Sequence, residues 1–367
     1  MAARKKPDPT LSTRTLRMRM KDRHAPELRE SAFHVNQVWN FSNELSFKVW
    51  ERERRFISSN EIDGYTKGAT KEGLPLHSQT VQAVSQELVA RRIQHKKVKL
   101  RWRVSKGSRR SLGWIPFKAS ALRYRNGQVF LSGFDKPLSL WDSYNLSKYE
   151  LGSGNISEDA RGRWYLNVTV KLKKTPKASL GAVEKSVGID LNLKEFAALS
   201  DGYVVELEKN YRKLESELAK AQRARKKARV KAIHAKIRNR RKDQLHKLST
   251  ALVEEYGAIF IGNVNASALA KTRMAKSVLD AGWSTFRTML QYKSDDAGVW
   301  FDEVDEAFST QTCSCCNTRT GPKGLEGLRI REWACSHCGA YHHRDINAAT
   351  NILAAGRRRL AVGIPVL

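Results

Sequence analysis

The period of the apolar positions changes several times along the chain, and each change marks an element. Residues 13–20 (TRTLRMRM) alternate polar and apolar, which predicts a short strand with a basic face. Over 26–57 the spacing is helical, with Phe33, Val38, Phe41, Leu45 and Val49 recurring behind Pro26 in the first turn. Residues 58–77 hold Gly64, Gly68, Gly73 and Pro75 and read as loop. HSQTVQAVSQELVARRIQ predicts a second helix with Val81, Val84, Leu88 and Val89 inward. In KKVKLRWRVSK the period drops to two: Val98, Leu100, Trp102 and Val104 alternate with Lys97, Lys99, Arg101 and Arg103. That predicts a strand with one buried face and one cationic face suited to a phosphate backbone; the other reading is a solvated edge strand blunted by charge. Short strands continue to about Lys174, with turns at Asn126-Gly127, Gly152–Gly154 and Arg161-Gly162.

Residues 176–186 (PKASLGAVEKS) read as a linker, and beyond it the pattern turns α/β. VGIDLNLKEFAALSDGYVVEL predicts two strands around an Asp201-Gly202 turn, and 207–256 a long helical pair. AIFIGNV is a short buried strand. Residues 274–293 form one amphipathic helix with Val278, Leu279, Trp283, Phe286 and Leu290 inward. GVWFDEVDEAF is another strand, and RDINAATNILAAGRRRL a final helix. The expected class is multidomain α/β: a small β-rich domain interrupted by a helical insertion, then an α/β domain.

Composition narrows the function. A chain of 367 residues, 41% of them apolar, can build two or three cored domains. No run approaches the roughly 20 apolar residues of a membrane span. The N-terminal MAARKKPDPTLSTRTLRMRM has charge but no apolar core, so it reads as no secretory signal, and a cytoplasmic location is expected. Against 37 acids stand 67 lysines and arginines, a net charge of +30, which calls for a polyanionic partner. Sixteen of those bases lie between Lys209 and Lys247, with only three acids among them. Arg223, Arg225, Lys226 and Lys227 sit mid-pair, and the one-signed excess favours a nucleic-acid face over a merely solvated helix.

All five cysteines fall between Cys313 and Cys338. Cys313-x2-Cys316 and Cys335-x2-Cys338 supply four thiolates on two tight turns, the donor set of one closed, structural zinc site. Four ligands leave no open position for catalysis, and Cys315 is left over. His337, His342 and His343 read as ordinary polar residues.

Two acids stand in unusual places. Asp190 is embedded in an apolar strand between Ile189 and Leu191, where an unpaired charge is costly to bury. Asp345 opens the last helix; alone it would be an N-terminal capping acid. Together they suggest a phosphodiesterase in which carboxylates from separate elements clamp two Mg²⁺.

At these residues the chain resembles the TnpB proteins, transposon-encoded RNA-guided DNA endonucleases related to type V CRISPR effectors. GIDLNLKEFAALSDG resembles their first RuvC motif, STQTCSCC and CSHCG the inserted zinc knuckle, and HRDINAATNIL the third RuvC motif. AFHVNQVWNFSNEL and SQTVQAVSQELVARR resemble the recognition lobe more weakly. The resemblance implies a wedge domain at 1–24 and 97–176, barrel-like in its second part, interrupted by the recognition lobe at 25–96. It implies an RNase-H-like RuvC domain at 177–308, a zinc knuckle at 309–340 and a second RuvC part with a tail at 341–367. The implied partners are a guide RNA from the element's end and target DNA beside a short duplex motif, with no membrane.

One position departs from the pattern. The family carries a glutamate at the end of the strand here written AIFIGNV, where this chain has Gly262. Either the chain is a nuclease-inactive RNA-guided binder, repressor-like, or another acid supplies the ligand. In RNase-H-like sheets the strand GVWFDEVDEAF lies parallel beside the Gly262 strand. A glutamate can bridge the spacing of about 4.8 Å from the same sheet end. Glu306 lies at that carboxyl end, whereas Glu303 and Asp305 fall on the other face. The expected magnesium ligands are therefore Asp190, Glu306 and Asp345.

Overall fold

A computed structural model describes residues 8–179, 183–327 and 329–361. Part of the linker, the first seven residues and the tail 362–367 lie outside the described residues. The chain divides into two compact units, one of residues 11–172 and one built mainly from 173–367.

The unit of residues 11–172 opens with β1 (Leu11–Arg19) and then inserts three helices: α1 (Ala25–Glu53), α2 (Ser59–Tyr65) and α3 (Ser78–His95). Helix α2 stands where loop was expected. Ser58 and Glu61 form a reciprocal capping box that nucleates it despite the glycines nearby. Of the residues at helical spacing in α1, Val38 and Val49 are buried, but Phe33 and Phe41 are exposed, and Leu28, Val35 and Trp39 take the core in their place. Strands β2 (Trp114–Phe117), β3 (Leu122–Arg125), β4 (Gln128–Leu131), β5 (Leu138–Ser139), β6 (Leu151–Glu158) and β7 (Trp164–Lys173) follow. They form two sheets, one ordered β1-β7-β6-β2 and one β3-β4-β5. The expected turn at Gly152–Gly154 is instead a register shift inside β6. A side chain on Gly154 would stand 2.0 Å from the Asn167 carbonyl, so glycine is required there.

The segment 97–104 is not a sheet strand. Helix α1 stands in for the missing partner. Asn43 exchanges two hydrogen bonds with the Leu100 backbone, at 2.8 and 3.0 Å, and Asn40 two with Arg103, at 2.9 and 2.8 Å. A spacing of three residues puts these two amides on one helix face, where they imitate a strand edge. The alternation fails accordingly: Trp102 is 52% and Val104 42% exposed, while Leu100 is buried.

The second unit is organised by a five-stranded sheet. Its first strands are β8 (Ser186–Leu191), β9 (Ala197–Leu199) and β10 (Val204–Val205). They make a three-strand antiparallel meander, one strand more than expected, because the chain also reverses between Leu191 and Ala197. The basic pair follows as α4 (Asn210–Arg223) and α5 (Lys227–Glu255), then β11 (Ala258–Gly262) and the short α6 (Ala266–Leu269). The predicted single helix at 274–293 is two, α7 (Ala275–Ala281) and α8 (Trp283–Ala297), divided by Gly282 at a φ of +72°. The break turns Leu279 outward, to 64% exposure. Strand β12 (Trp300–Val304), α9 (Gly324–Gly327), β13 (Glu332–Ala334), β14 (Tyr341–His343) and α10 (Arg344–Ala361) complete the unit.

The sheet order is β10-β9-β8-β11-β12, with β8, β11 and β12 parallel. Its period-two pattern sends Val187, Ile189, Ile259 and Ile261 to one face, into a core shared with Phe286 and Leu290 of α8. The other face takes α10 through Phe260, Val304 and Ile352. Two glycines permit that close packing. A side chain on Gly188 would meet the Ala349 carbonyl at 2.1 Å, and one on Gly356 the Phe260 ring at 2.1 Å.

Candidate active site

Asp190 lies on the sheet face that α10 covers. The last registered pair of β8 and β11 is Ile189 with Ile261, so Asp190 and Gly262 come next, side by side. Gly262 is in turn registered with Val304 of β12. Two residues further on, Glu306 folds back over Gly262: its Oε2 is 2.2 Å from where a β-carbon on that glycine would stand. No described donor reaches this buried Oε2. Asp345, in the first turn of α10, is 5% exposed and Asp190 8%.

The electrostatics show that the three acids share one neighbourhood. Burial first, then repulsion from Asp345 and Glu306, holds the Asp190 carboxyl well above the ordinary carboxylate range; Arg344 and Arg331 pull the other way. Burial also raises Glu306, opposed by Arg287. Arg331 Nη1 donates to Asp345 Oδ2 at 2.8 Å. The acids are not collapsed onto one point. Among the described residues, only the four cysteines bring three or more potential metal ligands within 4.8 Å of one another.

Those sulfurs belong to Cys313, Cys316, Cys335 and Cys338. Cys313–Cys338 and Cys316–Cys335 are each separated by 3.6 Å. A tetrahedral zinc with Zn–S bonds of about 2.3 Å needs sulfurs about 3.8 Å apart, so the donor set fits a structural zinc. Hydrogen bonds from Thr318 draw the Cys316 thiol down to about 5, toward the thiolate a metal requires. Cys315 is exposed and outside the set. His342 Nε2 lies 3.0 Å from Cys313 Sγ, in hydrogen-bonding contact with a member of the set.

Two family models match the chain: the Cas12f1-like TNB domain over residues 283–352, and OrfB_IS605, described as "Probable transposase", over 168–273. A Streptomyces pristinaespiralis protein provisionally named RNA-guided DNA endonuclease is 34% identical, over 93% of this chain and 88% of its own length. The chain belongs to the TnpB family. The mimivirus TnpB-like protein L79 is 30% identical over half of this chain and 39% of its own length. A Cas12f1 structure solved with sgRNA and target DNA shares the fold, with a TM-score of 0.61 at 12% identity, over 94% of this chain and 99% of that one.

This TnpB chain presents its expected nucleic-acid residues unequally. Arg223, Arg225, Lys226 and Lys227 are all exposed around the α4–α5 connection. Lys97 and Arg101 are exposed as well. Lys99 is paired with Glu44 at 2.7 Å. Arg103 turns inward, donating to Asn36 and to the Leu112 carbonyl, both at 2.6 Å. Sequence reasoning missed Arg331 as the partner of Asp345; it registered only that the knuckle is cationic. No described helix is long and apolar enough to cross a membrane.

Proposed function

We propose that this chain is an RNA-guided double-stranded DNA endonuclease of a transposable element, with a RuvC-like site whose glutamate has moved to Glu306. The names of its relatives support the activity class. The observation that carries the relocation is the Glu306 carboxylate standing in the space that Gly262 leaves empty beside Asp190.

The residues present fit a divalent-cation centre: three acids in one neighbourhood, one of them with a buried oxygen lacking a donor. Asp190, Glu306 and Asp345 would hold two Mg²⁺. When bound, magnesium supplies positive charge that makes water a nucleophile and steadies the departing 3′ oxygen. Asp190, held above the ordinary carboxylate range by burial and by its acidic neighbours, would give up its proton as the centre fills. Arg331 limits the excess negative charge by pairing with Asp345. The exposed Lys97 and Arg101 and the basic α4–α5 connection take phosphates of guide and target, while base pairing with the guide reads the sequence. One zinc closes the knuckle. The chain acts in the cytoplasm, on the nucleoid when bound to DNA.

A second reading keeps guided DNA binding without cleavage, repressor-like. It is favoured by the separation of the three acids and by Arg331 occupying Asp345. A Mg²⁺-dependent plasmid cleavage assay with the RNA that co-purifies decides between them. Cleavage abolished by Glu306→Ala, with guided DNA binding retained, supports the relocated site. Unchanged cleavage in that variant overturns it, and no cleavage by the parent chain leaves the binder.

A further inference from the structure

Two amides on α10 tie the acids' supports together. Asn347, 2% exposed, donates through Nδ2 to the carbonyls of Ser309 and Thr312, at 3.2 and 2.8 Å. Its Oδ1 accepts the Ser314 N–H at 2.9 Å. One turn later, Asn351 Nδ2 donates to the same two carbonyls, both at 2.8 Å.

Those carbonyls belong to the loop that starts at Glu306. The loop is closed on itself: Ser309 N–H donates to the Glu306 carbonyl at 3.0 Å and Thr312 N–H to that of Phe308 at 3.0 Å. Phe308, at a φ of +63°, makes the reversal. Asp345 stands two residues before Asn347 on the same helix. One helix therefore carries one acid and the fastening of the loop that carries another.

The fastening matters because Glu306 lies beyond the ladder. Strand β12 ends at Val304; beyond it Glu306 is tied to the residues that follow β11 by Asn263 N–H to the Val304 carbonyl, 2.9 Å, by Glu306 N–H to Asn263 Oδ1, 3.3 Å, and by the Val264 N–H to the Glu306 carboxyl. A strand residue is placed by its neighbours' backbone; a loop residue needs other restraints. A displacement of about 1 Å in a reacting geometry can cost on the order of a hundredfold.

We propose that Asn347 and Asn351 are positioning residues that set the Glu306 carboxylate against Asp345, so that the divalent-cation centre assembles from a loop and a helix. This rests on Glu306 being a ligand. Asn351 is the cleaner probe, because Asn347 also holds the first knuckle turn through Ser314.

The test uses the full chain with its co-purified RNA, and Mn²⁺ binding followed by calorimetry. Asn351→Leu keeps the volume and removes the donor. It is expected to retain its zinc and its guided DNA binding, to bind Mn²⁺ about tenfold more weakly, and to need correspondingly more Mg²⁺ for half-maximal cleavage. In a Glu306→Gln background the same change should weaken Mn²⁺ binding no further, because no carboxylate is left to position. Undiminished Mn²⁺ affinity in Asn351→Leu, with Glu306→Gln weakening it, overturns the positioning role alone. Undiminished affinity in Glu306→Gln overturns the ligand assignment, and the positioning role with it. Should Asn351→Leu not fold, Asn351→Ala, which likewise removes the donor, is measured in the same way and judged by the same outcomes.

Discussion

Glu306 Oε2 and the absent β-carbon of Gly262 compete for one position: they would stand 2.2 Å apart. A carboxylate from the neighbouring strand's loop occupies the place where a side chain on Gly262 would begin. The two arrangements are mutually exclusive, which makes them exchangeable by mutation.

Placing the acid back on the strand should therefore work only once the loop acid is removed. Gly262→Glu alone crowds two carboxylates into one space and is expected to lower plasmid cleavage by at least about tenfold. Gly262→Glu combined with Glu306→Ala should recover much of the activity that Glu306→Ala loses. Cleavage rates of the three variants at one Mg²⁺ concentration test this.

Asp190 is costly to the fold at neutral pH. Its folded pKa lies above the unfolded value, so the stability tied to its protonated form is complete below the unfolded pKa and is lost as pH rises through the folded one. Asp190→Asn mimics the protonated acid. In the metal-free protein it should raise Tm at pH 7, and the gain should shrink as pH falls toward the ordinary carboxylate range near about 4. Thermal melts in chelator at both pH values measure it, and the variant should not cleave.

At Gly188 the obstacle to a side chain is backbone, not a flexible tip: the Ala349 carbonyl at 2.1 Å and the Leu353 nitrogen at 2.6 Å. Gly188→Ala must push α10 off the sheet. A destabilisation of about 1–3 kcal/mol is expected from overpacking, read as a lowered denaturant midpoint. Because α10 carries Asp345, cleavage should fall further than stability alone explains.

Removing zinc should undo more than the knuckle. Chelation under native conditions, or Cys335→Ser, is expected to release one zinc per chain, to lower Tm and to abolish cleavage. The Ser314 tie to Asn347 links the first cysteine turn to α10. A zinc-free chain with full Mg²⁺-dependent activity would contradict that link.

Much of the second unit's plan was legible because period-two strands and cysteine spacing are local signals. The parallel pairing of β11 and β12 is what the resemblance to RNase-H-like sheets implies, and counting alternate residues along GVWFDEVDEAF then puts Glu306 at their carboxyl end. Where side chains replace backbone, the sequence was misread. Residues 97–104 have a strand's alternation, yet their partner is a row of asparagines some sixty residues earlier, and no periodicity announces that. The Gly282 break hid inside an otherwise helical apolar pattern, and Phe33 and Phe41 kept helical spacing while facing outward. Asn347 and Asn351 lie inside HRDINAATNIL, but only the folded loop reveals what they hold.

The asparagine rungs of α1 also fix how the gene can change length there. One codon inserted between Asn36 and Asn40 would rotate every later amide by about 100° around the helix axis, so Asn40 and Asn43 would point away from 97–104 together. The Asn126-Gly127 hairpin, joining β3 to β4 with both residues at positive φ, has no such coupling to a distant segment. Epitope tags or short spacers should be tolerated at that tip and rejected in the middle of α1.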